Sequence, residues 1–184
     1  MVSPAAELTL GCWALLETGV RVRERLRGRG GGDRDRGTRV LIALTLGAAI
    51  GVAFIASSSS PPVPDACRVT GVVVMWSGLA IRVWAIATLG SAFRTTVEVD
   101  SGQAVVSTGP YAWIRHPSYT GLLLIVAGFG LAAGTWISLA ACLVLPLPAI
   151  VWRIRVEEAE LDRVLGDAYR AYRANTKRLI PGVW

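Results

Sequence analysis

His116 is the single histidine in a chain of 184 residues, and it stands where polar chemistry is concentrated. The stretch Gly109-Pro110-Tyr111-Ala112-Trp113-Ile114-Arg115-His116-Pro117-Ser118-Tyr119-Thr120-Gly121 gathers an imidazole, a guanidinium, two phenols and two prolines. Downstream, Arg153 and Glu157 are spaced i, i+4 and share one helix face, with Glu158 beside them. Such a set suits the binding and orientation of a charged ligand. His116 precedes Pro117, which biases it toward extended backbone, and Ser118 is placed to cap a helix starting near Tyr119. That helix N-terminus beside Arg115 is suited to a carboxylate or phosphate. Two readings of Arg153 and Glu157 stay open on spacing alone. One is a surface ion pair worth about 0.3 kcal/mol; the other is a pair turned inward toward His116 and Tyr119. Glu158 aligns with Leu165 and Tyr169 on an apolar face, where a carboxylate needs a partner or a ligand. No metal site is expected, since Cys12, Cys67 and Cys142 are far apart in or beside apolar segments.

The elements that must position these residues are apolar. The chain is 53% hydrophobic and 17% charged, with mean hydropathy +0.49. These values predict a single-domain, all-α integral membrane protein of about five transmembrane helices. Of the 19 basic residues, 18 are arginine and they cluster beside apolar spans, for a net charge of +6. This is the pattern of the positive-inside rule and argues against nucleic-acid binding. The first half, residues 1–90, carries apolar segments at 4–20 (interrupted by Glu7 and Glu17), 40–56 and 67–90. Between the first two lies an arginine-rich loop, 21–39, read as solvated or lying on anionic headgroups. Arg82 falls inside the third segment. It is read either as functional or as a structural arginine that snorkels or pairs with Glu7 or Glu17.

The second half, 91–184, is the expected catalytic half. A helical hairpin spans 119–152, divided near Gly134, with Pro146 and Pro148 kinking its second arm and Trp136 and Trp152 as interfacial anchors. A C-terminal helix over 153–175 carries the stripe Leu161, Val164, Leu165, Ala168, Tyr169 and Tyr172 at helical period. Charge then sets the topology: the N-terminus outside, the C-terminus and active site cytoplasmic. The start of the chain lacks the features of a removable signal peptide.

Gly109-Pro110-Tyr111, Arg115-His116-Pro117-Ser118-Tyr119-Thr120-Gly121 and Arg153…Glu157-Glu158…Leu161…Gly166…Tyr169…Tyr172 resemble the isoprenylcysteine carboxyl methyltransferase family and the wider phospholipid methyltransferase-like group. The resemblance covers roughly residues 90–182. It implies an integral membrane methyltransferase using S-adenosyl-L-methionine and a lipophilic small-molecule acceptor, a carboxylate being favoured. It further implies that Gln103, Ala104, Val105, Val106, Tyr111, His116, Pro117, Ser118, Tyr119 and Glu157 line the cofactor, and that Arg153 faces the acceptor. Arg153 and Glu157 are thus the expected catalytic pair. The family's upstream amide contact falls on Thr96 here. Methyl transfer from a sulfonium needs in-line approach more than acid–base help, so positioning can supply most of the acceleration. The competing readings are a lipid-amine N- or thiol S-methyltransferase, a nicotinamide-dependent membrane reductase and a non-enzymatic membrane protein. The preference for arginine over lysine is that of a GC-rich genome, which points to a bacterial inner membrane.

Overall fold

The structure, a computed structural model, describes residues 3–26, 37–90, 93 and 104–184. Seven α-helices follow in order: α1 (Pro4–Leu26), α2 (Thr38–Ser59), α3 (Asp65–Leu89), α4 (Pro117–Ala132), α5 (Trp136–Val144), α6 (Pro146–Leu165) and α7 (Asp167–Asn175). A short 3-10 turn, Gly109–Ala112, precedes α4. There is no strand among the described residues, only isolated bridges between Pro62 and Thr135 and between Ile114 and Lys177. Three stretches are long and apolar enough to cross a membrane: Thr38–Ser58, Asp65–Leu89 and the joined α5–α6 stretch Trp136–Leu165. Of the five expected segments, α4 is shorter at 16 residues, and α1 carries Glu7, Glu17 and three arginines.

Helix α2 illustrates why this bundle suits lipid. Leu46, Ala49, Ala53 and Ala56 are buried at helical spacing, while Val40, Leu44, Val52 and Ile55 are exposed. An apolar inner stripe with an apolar outer face belongs to a helix whose solvent is hydrocarbon. Helices α3 and α4 pack antiparallel at very close range through two glycine pairs. A Cβ on Gly78 would sit 2.6 Å from the Gly121 carbonyl oxygen, and one on Gly71 would sit 2.6 Å from that of Gly128. The two pairs lie two helical turns apart, and small residues of this kind let backbones touch where no hydrophobic force separates helix from lipid.

The bundle has two chemically distinct ends. At one, Val63 N donates to the Gly134 carbonyl at 2.8 Å, and Thr135 caps α5 by accepting from Ser138 N at 3.1 Å. At the other lie Thr38, the Gly109–Pro117 loop, Arg153 and the C-terminal segment, joined by hydrogen bonds described below.

Four sequence expectations change. Helix α1 runs on through Arg21 and Arg23 to Leu26, so the arginine-rich loop starts later than residue 21; its centre, 27–36, lies outside the described residues. The prolines sit at the start of a helix and not in the middle of one: Pro146 and Pro148 are the first and third residues of α6, where a backbone donor has no partner within the helix. Leu145 between α5 and α6 keeps helical angles, φ −68 and ψ −46, so the arm continues across the junction. The C-terminal helix is two helices. Gly166 takes φ 54 and ψ −127, which a side chain would resist, and α7 leaves α6 at a new angle. Finally, α4 begins at Pro117 with His116 at the capping position and no side-chain cap; Ser118 is used elsewhere.

Candidate functional site

Arg153 emerges from α6 into the protein, not onto its surface. The residue is 2% exposed, which decides between the two readings of its spacing with Glu157. Its Nε donates to the Tyr119 hydroxyl oxygen at 3.0 Å, and its Nη1 donates to Thr38 Oγ1 at 3.0 Å. The Tyr119 hydroxyl donates in turn to Glu157 Oε2 at 3.0 Å. Arg153 Nε and Glu157 Oε2 are themselves 4.0 Å apart. Tyr119 therefore sits between cation and carboxylate, accepting from one and donating to the other. This holds both side chains in place, their direct approach of 4.0 Å being at the outer limit of an ion pair.

A second knot holds the loop. Glu158, 4% exposed, accepts from Arg115 Nε at 2.8 Å and from Arg178 at 2.9 Å, with His116 Nε2 at 3.4 Å. Charge-assisted bonds of this kind are the strong ones, and they answer what a carboxylate does on that apolar face. Hydrogen bonding to Glu158 raises the basicity of Arg178. The backbone reinforces the knot: Arg115 N donates to the Lys177 carbonyl at 2.7 Å, and His116 N to that of Arg178 at 3.0 Å. Thr120 Oγ1 donates to the Leu179 carbonyl at 2.8 Å. Arg115 Nη1 also donates to the carbonyls of Arg173 and Thr176. Arg115 thus gives its Nε and Nη1 to protein partners, while the residue also lines the cavity described below. The Tyr172 hydroxyl donates to the Tyr111 carbonyl at 2.7 Å and is pushed up to about 12, chiefly by burial.

A third pairing ties α1 to the rest. Arg82 Nε meets Glu17 Oε1 at 2.5 Å, while its Nη1 donates to the Ser118 carbonyl and hydroxyl at 2.9 and 2.7 Å. Glu17 Oε1 also accepts from Trp13 Nε1 at 2.9 Å. Of the two glutamates considered for Arg82, Glu17 is the partner, and Ser118 serves Arg82 where a helix cap was expected.

These groups surround one cavity of about 460 Å³, within the usual range for small-molecule sites. Its walls include Ala104, Val105, Val106, Tyr111, His116, Ser118, Tyr119, Arg153 and Glu157 from the expected set. Pro117 is buried behind the lining, where it starts α4. Gln103 and Thr96 lie outside the described residues. Among the described residues no group of three or more metal-ligating side chains is present.

The cavity also draws on residues that sequence reasoning did not reach. Trp13 and Glu17 of α1 and Ile42, Leu46 and Ile50 of α2 form an aliphatic and aromatic flank. Leu161, Leu165, Tyr169 and Tyr172 close another side. The sequence of α2 reads as a uniformly apolar span, and only the fold turns one of its faces toward a cavity. Thr38 and Arg178 carried no motif signal of their own. Tyr169 and Tyr172 did, standing both in the amphipathic stripe and among the residues of the family resemblance, with no site role attached to either.

Comparison with known proteins follows the same residues. A family model described as "Isoprenylcysteine carboxyl methyltransferase (ICMT) family" matches residues 70–163, just over half the chain. The protein-S-isoprenylcysteine O-methyltransferase of Schizosaccharomyces pombe is 30% identical over 112 residues, covering 50% of this chain and 45% of that protein. An uncharacterised Bacillus subtilis protein, YpbQ, is 28% identical over 95 residues, covering 47% of this chain and 56% of that one. The solved structure of a eukaryotic intramembrane Ras methyltransferase, isoprenylcysteine carboxyl methyltransferase, superimposes with a TM-score of 0.60 at 27% identity. That match covers 77% of this chain and 52% of the other. The chain spans about half the length of the curated relatives it matches.

Proposed function

This chain belongs to the isoprenylcysteine carboxyl methyltransferase family, and from that premise we propose that it moves a methyl group from S-adenosyl-L-methionine to a lipophilic acceptor bearing a carboxylate. The observation that carries this reading is the Arg153–Tyr119–Glu157 relay on the wall of a cavity inside an apolar helical bundle. The cofactor supplies an electrophilic methyl on a sulfonium. The residues present fit it: the relay keeps Glu157 partly open, its side chain 31% exposed, so that it can accept from the cofactor's amine or ribose hydroxyls. His116, Tyr111, Ser118 and Tyr119, with the 103–106 segment, form the remaining proposed cofactor lining.

Arg153 is the proposed acceptor clamp. A guanidinium presents planar donors that match a carboxylate, and burial from water strengthens its pull. Such an acceptor is already ionised at neutral pH and needs no base. An amine acceptor would have to shed a proton first, and Arg153 would oppose its cationic form. The flank of Ile42, Leu46 and Ile50 suits the acceptor's hydrocarbon part. Both halves of the chain contribute to the cavity, which supports 1–184 acting as one catalytic unit.

The chain is a multi-pass, all-helical membrane protein. In the proposed topology α1 to α4 and the α5–α6 arm make five passes, with the cavity on the cytoplasmic side of a bacterial inner membrane and the N-terminus outside. The charge distribution supports this. Arg21, Arg23, Arg39, Arg115 and the cations of α6, α7 and the C-terminal segment gather at the cavity end. Arg68 stands near the other, its guanidinium carbon 2.6 Å from where a Cβ on Gly134 would lie.

The test is direct. The detergent-solubilised chain should bind S-adenosylhomocysteine in a calorimeter and move labelled methyl groups from S-adenosyl-L-methionine into a lipid or metabolite extract, into a base-labile ester. A folded protein that binds no S-adenosylhomocysteine would defeat the proposal, and a base-stable product would move it to nitrogen or sulfur.

A further inference from the structure

Tyr169 is 2% exposed, lines the cavity, and its hydroxyl has no hydrogen-bond partner among the described residues. It differs in this from the other phenols of the site. Tyr111 donates to the Ala85 carbonyl at 3.4 Å, Tyr119 stands in the Arg153–Glu157 relay, and Tyr172 bonds the Tyr111 carbonyl. A buried donor left unmade forfeits its hydration with nothing in return. Such a group in a native structure calls for an explanation, and a ligand that completes it is one.

The surroundings say what kind of ligand. Tyr169 and Tyr172 lie on one face of α7 with ring centroids 6.2 Å apart and planes tilted by 53°. Beside them, at the end of α6, Leu161 and Leu165 also line the cavity, so the one unpartnered donor lies on an apolar wall. Burial first, then the Glu158 carboxylate, raise the pKa of Tyr169 above the ordinary phenol value, so the hydroxyl stays a donor at any working pH. An apolar wall with aromatic faces and one fixed donor fits a purine: the ring packs against the wall, and a ring nitrogen accepts the bond. An anionic group would be poorly placed there, with Glu158 already engaged by Arg115 and Arg178.

We propose that Tyr169 is a cofactor-binding residue whose hydroxyl donates to the adenine ring of the bound nucleoside. The proposal rests on the methyltransferase reading above and extends it to a residue on α7, outside the stretch matched by the family model. The hydroxyl adds affinity only when the ligand is present and carries a cost when it is absent.

That asymmetry gives a test on the full chain in detergent, with two probes and one control. The probes are S-adenosylhomocysteine and 5′-methylthioadenosine, which keeps the adenosine and lacks the amino-acid end. Tyr169→Phe should weaken binding of both by about tenfold while leaving the thermal midpoint of the ligand-free protein unchanged or higher. Tyr172→Phe, which loses a bond made within the protein, should lower that midpoint. Unchanged affinity of Tyr169→Phe for both probes would overturn the inference, as would a ligand-free midpoint falling as far as in Tyr172→Phe. Weakened binding of S-adenosylhomocysteine alone would overturn the adenine assignment by placing the bond at the amino-acid end. Wild-type protein that binds neither probe would instead defeat the methyltransferase reading itself.

Discussion

Arg82 Nε and Glu17 Oε1 lie 2.5 Å apart, their side chains 8% and 15% exposed, so α1 is joined to α3 by an ion pair within the bundle. Through its other arm Arg82 grips Ser118, two residues past His116. Glu17→Ala leaves a buried guanidinium short of its counter-charge, and about 3–5 kcal/mol of stability should go, read as a lower thermal midpoint in detergent. Glu17→Leu combined with Arg82→Met should recover most of that midpoint, because a paired apolar replacement removes both desolvated charges. The double variant should still bind S-adenosylhomocysteine weakly, since Ser118 has lost its clamp. Wild-type affinity in that variant would show the pair to be purely structural.

Arg153→Lys keeps the charge and loses the planar fork. Turnover should fall on the order of a hundredfold, while binding of S-adenosylhomocysteine stays close to wild type, because the proposed role concerns the acceptor. The two measurements belong on one preparation. Equal loss of both would place Arg153 in the cofactor site instead.

Glu158 carries the loop and the C-terminal segment together. Glu158→Gln keeps the shape but removes the charge that Arg115 and Arg178 share, and about 3–5 kcal/mol should be lost. The released segment after Thr176 should become the first site of cleavage in limited proteolysis. Protection equal to wild type would mean that the backbone bonds from Lys177 and Arg178 suffice without the knot.

Gly78→Val drives a branched side chain into the Gly121 carbonyl and the Ile125 backbone, where even a Cβ would come within 2.8 Å. Overpacking of this kind typically costs about 1–3 kcal/mol, and rigid backbone on the far side leaves little relief. The thermal midpoint should fall accordingly. The same change at Gly47, where a Cβ would meet nothing within 4 Å, should leave the midpoint near wild type.

Much of this was legible in the residues before any coordinates. Unbroken apolar runs placed α2 and α3, since hydrocarbon tolerates few alternatives to a helix. The i, i+4 spacing of Arg153 and Glu157 put them on one face but left open whether that face turns outward or toward His116, which the burial of Arg153 decides. What escaped was set by contacts between distant segments. Nothing local says that Thr38, at the start of α2, lies under Arg153, or that Arg178 reaches back to Glu158. The break at Gly166 was missed because the apolar stripe keeps its period across it, although glycine at the end of a periodic run is a stop signal. Ser118 was read as a cap because caps are the local use of serine; a buried arginine from another helix made the stronger claim.

The bridge between the His116 loop and the C-terminal segment has a consequence for biosynthesis. Arg115 and the carbonyl of Thr176 that it holds are 61 residues apart, and α4, α5, α6 and α7 are all made between them. The transmembrane helices can therefore be inserted and packed while the loop still lacks its staple and Glu158 lacks Arg178. A nascent chain halted before Thr176 would lack the staple that joins the His116 loop to the C-terminal segment.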